Sequence, residues 1–166
     1  MSKGKSIFLI GFMGCGKSTF GRKLAAQFDY EFIDMDTFIE EQSGKTIPQI
    51  FAEEGEDYFR NLEKEAIKEL SNKKNCVIAT GGGAPCFNDN MALMNELGIT
   101  VYLELSPEKL AQRLVLDKTE RPVLQGKNGD ELVAHISSLL QNRELYYKTA
   151  KITVDADSPE DLLALL

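Results

Sequence analysis

The sequence predicts an α/β fold with three layers, in which a central five-stranded parallel sheet lies between helices on its two faces. Short apolar runs alternate with longer segments of helical periodicity, and this alternation is typical of parallel sheets with helical crossovers. Residues 7–10 are all apolar, as in a strand that is buried on both faces. The chain has 166 residues, 43% of them hydrophobic, so we expect a single domain with a substantial core.

The first strand leads into a glycine-rich segment. Residues 11–18 read Gly-Phe-Met-Gly-Cys-Gly-Lys-Ser, which fits the spacing G-x-x-x-x-G-K-[ST] in the strand–turn–helix context that this motif requires. In such a turn, backbone N–H groups and the helix N-terminus surround phosphate oxygens, Lys17 reaches the outer phosphates, and the Ser18 hydroxyl is available to Mg²⁺. The alternative is a strand-to-helix turn whose glycines are incidental.

The next elements follow from periodicity and capping residues. Residues 30–34 alternate toward a second strand. A helix over residues 38–43 ends at Gly44, a residue that favours a C-terminal cap. Thr46 opens a new segment, and a longer helix over residues 59–70 keeps its apolar residues on one face.

The third and fourth strands enclose a glycine turn and a helix. Residues 76–80 form a buried strand that runs directly into three glycines at residues 81–83. Asn88 is predicted to cap a helix over residues 91–97, and residues 99–105 form the fourth strand.

A long polar loop divides the last third of the chain. Ser106 and Pro107 are typical of an N-cap followed by the first helical position. Residues 117–129 are polar and contain one proline and two glycines, and loops of this length are usually lids or disordered segments. The remaining predicted elements are a helix over residues 130–147, a fifth strand over residues 151–154 and a closing helix from residue 158.

Chemistry-bearing residues follow the ends of these strands. Asp34 and Asp36 flank one residue just after the second strand. If this backbone is extended, both carboxylates face the same cleft, where one orients water around Mg²⁺ and the other accepts from a substrate hydroxyl. The alternative is a helix-start cap. The glycines at residues 81–83 suggest a close approach of backbone to a ligand, and a plain sharp turn is the alternative.

Three arginines are candidates for binding anions. Arg143 lies on the apolar stripe that also contains Leu139 and Tyr146, and a guanidinium there needs an anion or a set of acceptors, unless its head extends to water. Arg60 has glutamates at helical spacing, so a salt-bridged exposed face explains it from spacing alone. Arg121, in the polar loop, could reach a transferred phosphate.

His135 is the only histidine, and we interpret it as structural.

Charge and composition exclude several classes of function. The chain carries 19 Lys and Arg against 26 Asp and Glu, a formal net charge of −7, whereas nucleic-acid-binding domains are basic. We therefore expect no nucleic-acid partner, and an anionic ligand must be held by a local cluster of donors. No apolar stretch approaches the length of a membrane span. Three cysteines without metal-binding spacing fit a reducing compartment, so we expect a cytoplasmic protein without a membrane partner.

Taken together, these motifs resemble those of the shikimate kinases, small P-loop kinases related to the nucleoside monophosphate kinases. The resemblance covers nearly the whole chain and rests on six motifs that occur in the family's order. They are IGFMGCGKST from residue 10, DMD at residues 34–36, GEDYFR ending at Arg60, ATGGG at residues 79–83, Arg121-Pro122, and the R-x-x-x-Y run from Arg143.

The resemblance implies a P-loop kinase fold with a mobile lid at about residues 115–128 and shikimate-binding helices at about residues 36–71. It implies transfer of the ATP γ-phosphate to the 3-hydroxyl of shikimate by a cytoplasmic monomer. Ser18 then holds Mg²⁺ together with Asp34, which acts through a water molecule, and Arg121 is the lid arginine. The residues that hold the ATP phosphates are Gly14, Cys15, Gly16, Lys17, Ser18 and Thr19.

The acceptor half of the site also follows from the resemblance. Asp36 binds a shikimate hydroxyl and accepts the proton of the 3-hydroxyl, Arg60 and Arg143 clamp the carboxylate, and the Gly82 backbone contacts the ring hydroxyls. One departure concerns adenine: the C-terminal loop often carries an arginine in the family, but residues 155–159 contain none. Arg113 is therefore the candidate to stack on the base.

Two rival functions remain open from the sequence. A related small-molecule kinase, such as a gluconate kinase, would share the phosphate loop but have a different acceptor pocket. A regulatory module would hydrolyse the nucleotide as a switch and need no acceptor, although a candidate base at Asp36 disfavours that interpretation.

Overall fold

The computed structural model describes residues 4–116 and 129–166. These residues form five strands and eight α-helices. The strands are β1 (Ser6–Ile10), β2 (Glu31–Asp34), β3 (Cys76–Ala79), β4 (Gly98–Glu104) and β5 (Ile152–Asp155). The helices are α1 (Lys17–Phe28), α2 (Met35–Ser43), α3 (Ile47–Glu54), α4 (Glu56–Ser71), α5 (Asn90–Leu97), α6 (Pro107–Leu116), α7 (Gly129–Tyr147) and α8 (Leu162–Leu165).

All five strands are parallel and lie in the order β2-β3-β1-β4-β5, which confirms the predicted α/β fold. The central strand β1 pairs with β3 on one side and β4 on the other, so Leu9 lies between Ala79 and Val101. Its residues are inaccessible to solvent or nearly so, as the unbroken apolar run predicted. Ligands of open parallel sheets bind beyond the carboxyl ends of the strands, which places the site where β1, β2 and β3 end.

Several local predictions needed correction. Asn88 does not cap α5, because Asp89 occupies the N-cap position and both residues have left-handed backbone angles. The Asn88 side chain instead donates to the Arg60 carbonyl oxygen at 3.3 Å. The closing helix is shorter than expected, since residues 159–161 form a 3₁₀ turn before α8. On α7 the buried tyrosine is Tyr147, whereas Tyr146 is 44% exposed.

The predicted lid extends only slightly into the described part of the chain. Its first two residues are the exposed end of α6, and residues 117–128, with Arg121, lie outside the described residues. Between β2 and β3, the three helices α2, α3 and α4 cover the predicted shikimate-binding segment. None of the described helices combines the length and apolarity needed to cross a membrane.

Candidate active site

The phosphate loop joins β1 to α1 in a tight turn. Gly14 and Gly16 have φ angles of 86° and 97°, a region in which a side chain would be strained. The Lys17 ammonium folds back over the loop and donates to the carbonyl oxygens of Gly11 at 2.6 Å and Phe12 at 3.2 Å. No side chain caps the start of α1, and its first turn has no acidic residue, so the helix N-terminus is suited to an anion.

Ser18 and Asp34 meet beside this loop. The Ser18 hydroxyl donates to Asp34 Oδ2 at 3.1 Å, and the other carboxylate oxygen accepts from the Thr37 N–H at 3.1 Å. Asp34 is therefore also the N-cap of α2, so the cap and the ligand interpretations are compatible. A hydroxyl and one carboxylate fit Mg²⁺, which takes oxygen ligands and is usually completed by substrate phosphates and water. Within residues 4–116 and 129–166, no cluster of three or more His, Cys, Asp or Glu forms a separate metal site.

Asp36 reaches the cleft by a route that the sequence did not predict. The backbone after β2 is not extended, because α2 begins at Met35 and Asp36 lies in its first turn. Its carboxylate nevertheless faces the glycine turn: a Cβ added to Gly81 would lie 3.0 Å from Asp36 Oδ1 and 3.0 Å from Glu63 Oε2. Gly81 therefore lies directly against two carboxylates.

The other two glycines lie against the two arginines. A Cβ on Gly82 would lie 3.2 Å from Arg143 Nη1, and one on Gly83 would lie 2.7 Å from Arg60 Nη1. These glycines are not in the left-handed region, so the constraint on a side chain here is close approach and not an unusual φ angle: a Cβ would force the neighbouring guanidinium group to shift. The turn thus brings together the predicted base and both predicted carboxylate-binding arginines, as expected for residues at one ligand.

Arg143 is held by an aromatic contact and has unused hydrogen-bonding capacity. Its guanidinium carbon lies 5.3 Å from the centroid of the Phe12 ring. Its Nη1 is buried, and no residue of the described part of the chain accepts a hydrogen bond from it. Since a buried guanidinium N–H without an acceptor is costly, the atom fits a bound anion.

Arg60 combines the two interpretations that the sequence left open. Its Nη1 donates to Glu63 at 2.7 Å and its Nε donates to Glu56 at 3.4 Å, so the salt bridges exist. Its side chain is only 13% exposed, however, and the guanidinium carbon lies 4.2 Å from the centroid of the Phe87 ring. The guanidinium is therefore fixed at the glycine turn and does not lie on an open helix face.

Glu63 is a site residue that the sequence analysis missed. Its side chain is 1% exposed, and burial is the main reason why its pKa is raised to about 7, although the Arg60 charge opposes the shift. A signal was present: Phe59, Glu63 and Ile67 are spaced by four residues, which places this carboxylate on the apolar face of α4.

Glu63→Gln is expected to change how stability depends on pH. The folded-state pKa of about 7 lies above the ordinary value of 4.5, so the folded protein binds the extra proton and stability falls as pH rises between these values. Glu63→Gln has no titrating carboxyl group at this position, so this pH-dependent loss of stability is absent from the variant. Its free energy of unfolding relative to wild type should therefore increase by about 2 kcal/mol between roughly pH 5 and roughly pH 8.

Urea denaturation at the two pH values measures this difference. Glu65→Gln is the matched control, because Glu65 lies on the same helix with its side chain 70% exposed. A stability difference for Glu63→Gln that is the same at both pH values would contradict the prediction.

Arg113, on α6, also contacts the phosphate loop. Its Nη1 donates to the Cys15 carbonyl oxygen at 2.8 Å, and its Nη2 donates to Asp157 Oδ1 at 3.1 Å. Asp157 also accepts from Lys109. The C-terminal loop, which lacks an arginine, thus supplies the Asp157 carboxylate. This carboxylate holds Arg113 beside the phosphate loop. Stacking of Arg113 on adenine stays a prediction.

Comparison with known proteins points to one family. A sequence model described as shikimate kinase matches residues 13–164. A shikimate kinase of Parabacteroides distasonis is 49% identical over 153 residues, which cover 92% of this chain and 88% of the relative.

Solved structures agree with the sequence comparison. A crystal structure of shikimate kinase from Bacteroides thetaiotaomicron has a TM-score of 0.89 at 45% identity and covers 93% of this chain and 88% of its own. The shikimate complex of the Acinetobacter baumannii shikimate kinase has a TM-score of 0.86 at 38% identity, and the match covers 97% of this chain and 92% of that one. A gluconokinase from Sinorhizobium meliloti shares the fold alone. Its identity is 18% and its TM-score is 0.57, and the match covers 92% of this chain and 82% of the gluconokinase chain.

Proposed function

The chain belongs to the shikimate kinase family, and on this basis we propose which of its residues carry out the family's reaction. The protein is a kinase that transfers the γ-phosphate of ATP to the 3-hydroxyl of shikimate and releases shikimate 3-phosphate and ADP. The observation that best supports a site for this acceptor is the glycine turn at residues 81–83, which lies against two carboxylates at its first residue and against a guanidinium group at each of the other two.

The donor half is the phosphate loop. Residues 14–19 surround the ATP phosphates, and Lys17, which now binds loop carbonyls, turns to the outer phosphates when they are present. Ser18 and Asp34 hold Mg²⁺, as their hydroxyl–carboxylate pair allows. When bound, Mg²⁺ neutralises charge on the transferring phosphate.

The acceptor half is built around the glycine turn. Arg143 and Arg60 bind the carboxylate of shikimate, because planar guanidinium groups match carboxylate geometry. The Gly82 backbone contacts the ring hydroxyls. Asp36 binds the reacting hydroxyl and accepts its proton while the oxygen attacks phosphorus. Positioning and charge stabilisation thus account for most of the catalysis.

Other features belong to the same proposal. Arg121 is the lid arginine that reaches the phosphates, and closure of the lid at about residues 115–128 excludes water that would otherwise hydrolyse ATP.

The helices within residues 36–71 form the shikimate-binding part of one kinase domain. Arg113 contacts adenine beside Asp157. The protein works as a monomer in the cytoplasm, and its three free cysteines are consistent with that reducing compartment.

The function is tested by measuring ADP release with ATP and Mg²⁺, in the presence and absence of shikimate. We expect ADP release to require shikimate and to be close to background with gluconate or with no acceptor. ADP release that does not respond to shikimate would favour the hydrolytic switch. Release that responds to gluconate would favour the related sugar-acid kinase.

A further inference from the structure

The glycine turn has three carbonyl groups, and each accepts a hydrogen bond from a different donor. Gly81 accepts from the Ala84 N–H at 3.2 Å and Gly83 accepts from the Cys86 N–H at 3.0 Å. Both of these bonds lie within the turn itself. The carbonyl oxygen of Gly82, in contrast, accepts from the hydroxyl group of Tyr147, which lies at the end of α7.

This tyrosine is a permanent donor. Its side chain is inaccessible to solvent, and burial raises the pKa of its hydroxyl well above the usual value, so the proton stays on the oxygen. Its ring packs on the ring of Tyr102, with the centroids 5.1 Å apart. The hydroxyl therefore has a fixed position relative to the sheet.

The same helix carries Arg143 one turn earlier, and Arg143 Nη1 lies 3.2 Å from the Cβ position of Gly82. We propose that Tyr147 is a positioning residue for shikimate, whose hydroxyl fixes the Gly82 peptide against Arg143. This inference rests on the proposed roles of Gly82 and Arg143. It extends them to a residue that does not itself touch the substrate.

The physical reason is the freedom of a glycine peptide. Glycine backbone rotates more freely than that of other residues, and in a trans peptide the carbonyl and the following N–H point in opposite directions. By fixing the Gly82 carbonyl, Tyr147 also fixes the direction of the Gly83 N–H and the distance from the turn to α7. Small misplacements of binding groups are costly, since about 1 Å can reduce rates by roughly 10²-fold.

Tyr147→Phe tests the proposal, and Tyr102→Phe is the matched control. Both tyrosines are buried and pack on each other, but the Tyr102 hydroxyl bonds to Glu144 on α7 at 3.5 Å and not to the glycine turn. We expect Tyr147→Phe to raise the KM for shikimate by roughly tenfold, with the KM for ATP changed by less than about twofold. Tyr102→Phe should change neither KM by more than about twofold.

Tyr147→Phe could also be less stable than wild type. Shikimate binding is therefore measured by calorimetry at a low temperature, below the unfolding transition, where the variant is folded. An unchanged shikimate affinity in Tyr147→Phe, or equal weakening in both tyrosine variants, overturns the proposal. Arg143→Ala is measured in parallel. If Arg143→Ala weakens shikimate binding and Tyr147→Phe does not, only the inference about Tyr147 fails. If Arg143→Ala has no effect on shikimate, the proposed acceptor site fails first.

Discussion

Asp36→Asn is expected to lower kcat by about 10²- to 10⁴-fold, the usual contribution of a positioned general base. Asparagine has nearly the same size and can still bind a hydroxyl, but its amide cannot accept the proton. The carboxylate of Asp36 lies at Gly81, close to Glu63, whereas the arginines lie at Gly82 and Gly83. Because asparagine is nearly isosteric with aspartate, the substitution should leave the shape of the acceptor site intact. We therefore expect a much smaller change in the KM for shikimate than in kcat.

Steady-state kinetics with shikimate and ATP varied in turn separates these effects. Asp57→Asn is the matched control, because Asp57 also lies in the first turn of a helix, α4, but is exposed. A kcat near that of wild type in Asp36→Asn would rule out the carboxylate as an essential base. The proton would then leave the hydroxyl by another route.

Most of the fold was predictable because the strong signals are local. Most of the strands are short apolar runs and β2 is marked by alternation, and each strand was located to within one or two residues. Periodicity was less reliable on α7. Leu132, Ile136, Leu140 and Tyr147 are its buried positions, and Tyr146 and Tyr147 both fit a helical stripe from spacing alone. Packing against Tyr102 and the glycine turn decides between them.

Several residues that lie around the glycine turn were named from the sequence, but their contacts could not be. Arg60 illustrates the difference, since the glutamates at helical spacing predicted a salt bridge and the bond to Glu63 exists. Only the fold shows that this pair is buried against Gly83. The close approaches at residues 81–83 join segments that are distant in sequence, so no spacing rule could reveal which glycine faces which charge.

Arg143 has the largest predicted effect on substrate binding. Its Nη1 is buried without an acceptor in the described part of the chain, and it lies against Gly82 and the Phe12 ring. A carboxylate that binds there forms a desolvated charge pair. Truncating one partner of such a pair costs about 2–5 kcal/mol, which corresponds to a loss of affinity of at least roughly 30-fold.

Arg143→Ala should therefore raise the KM for shikimate by at least about 30-fold, while the KM for ATP changes by less than about threefold. Arg22→Ala is the matched control, since the Arg22 guanidinium carbon also lies near an aromatic ring, 4.9 Å from the Phe32 centroid, but its side chain is exposed on α1. Thermal unfolding of both variants measures what the aromatic contact contributes to stability. Equal increases in the KM for shikimate and the KM for ATP would assign Arg143 a structural role. If Arg143 binds only the carboxylate of the acceptor, its removal cannot weaken ATP binding to the same extent.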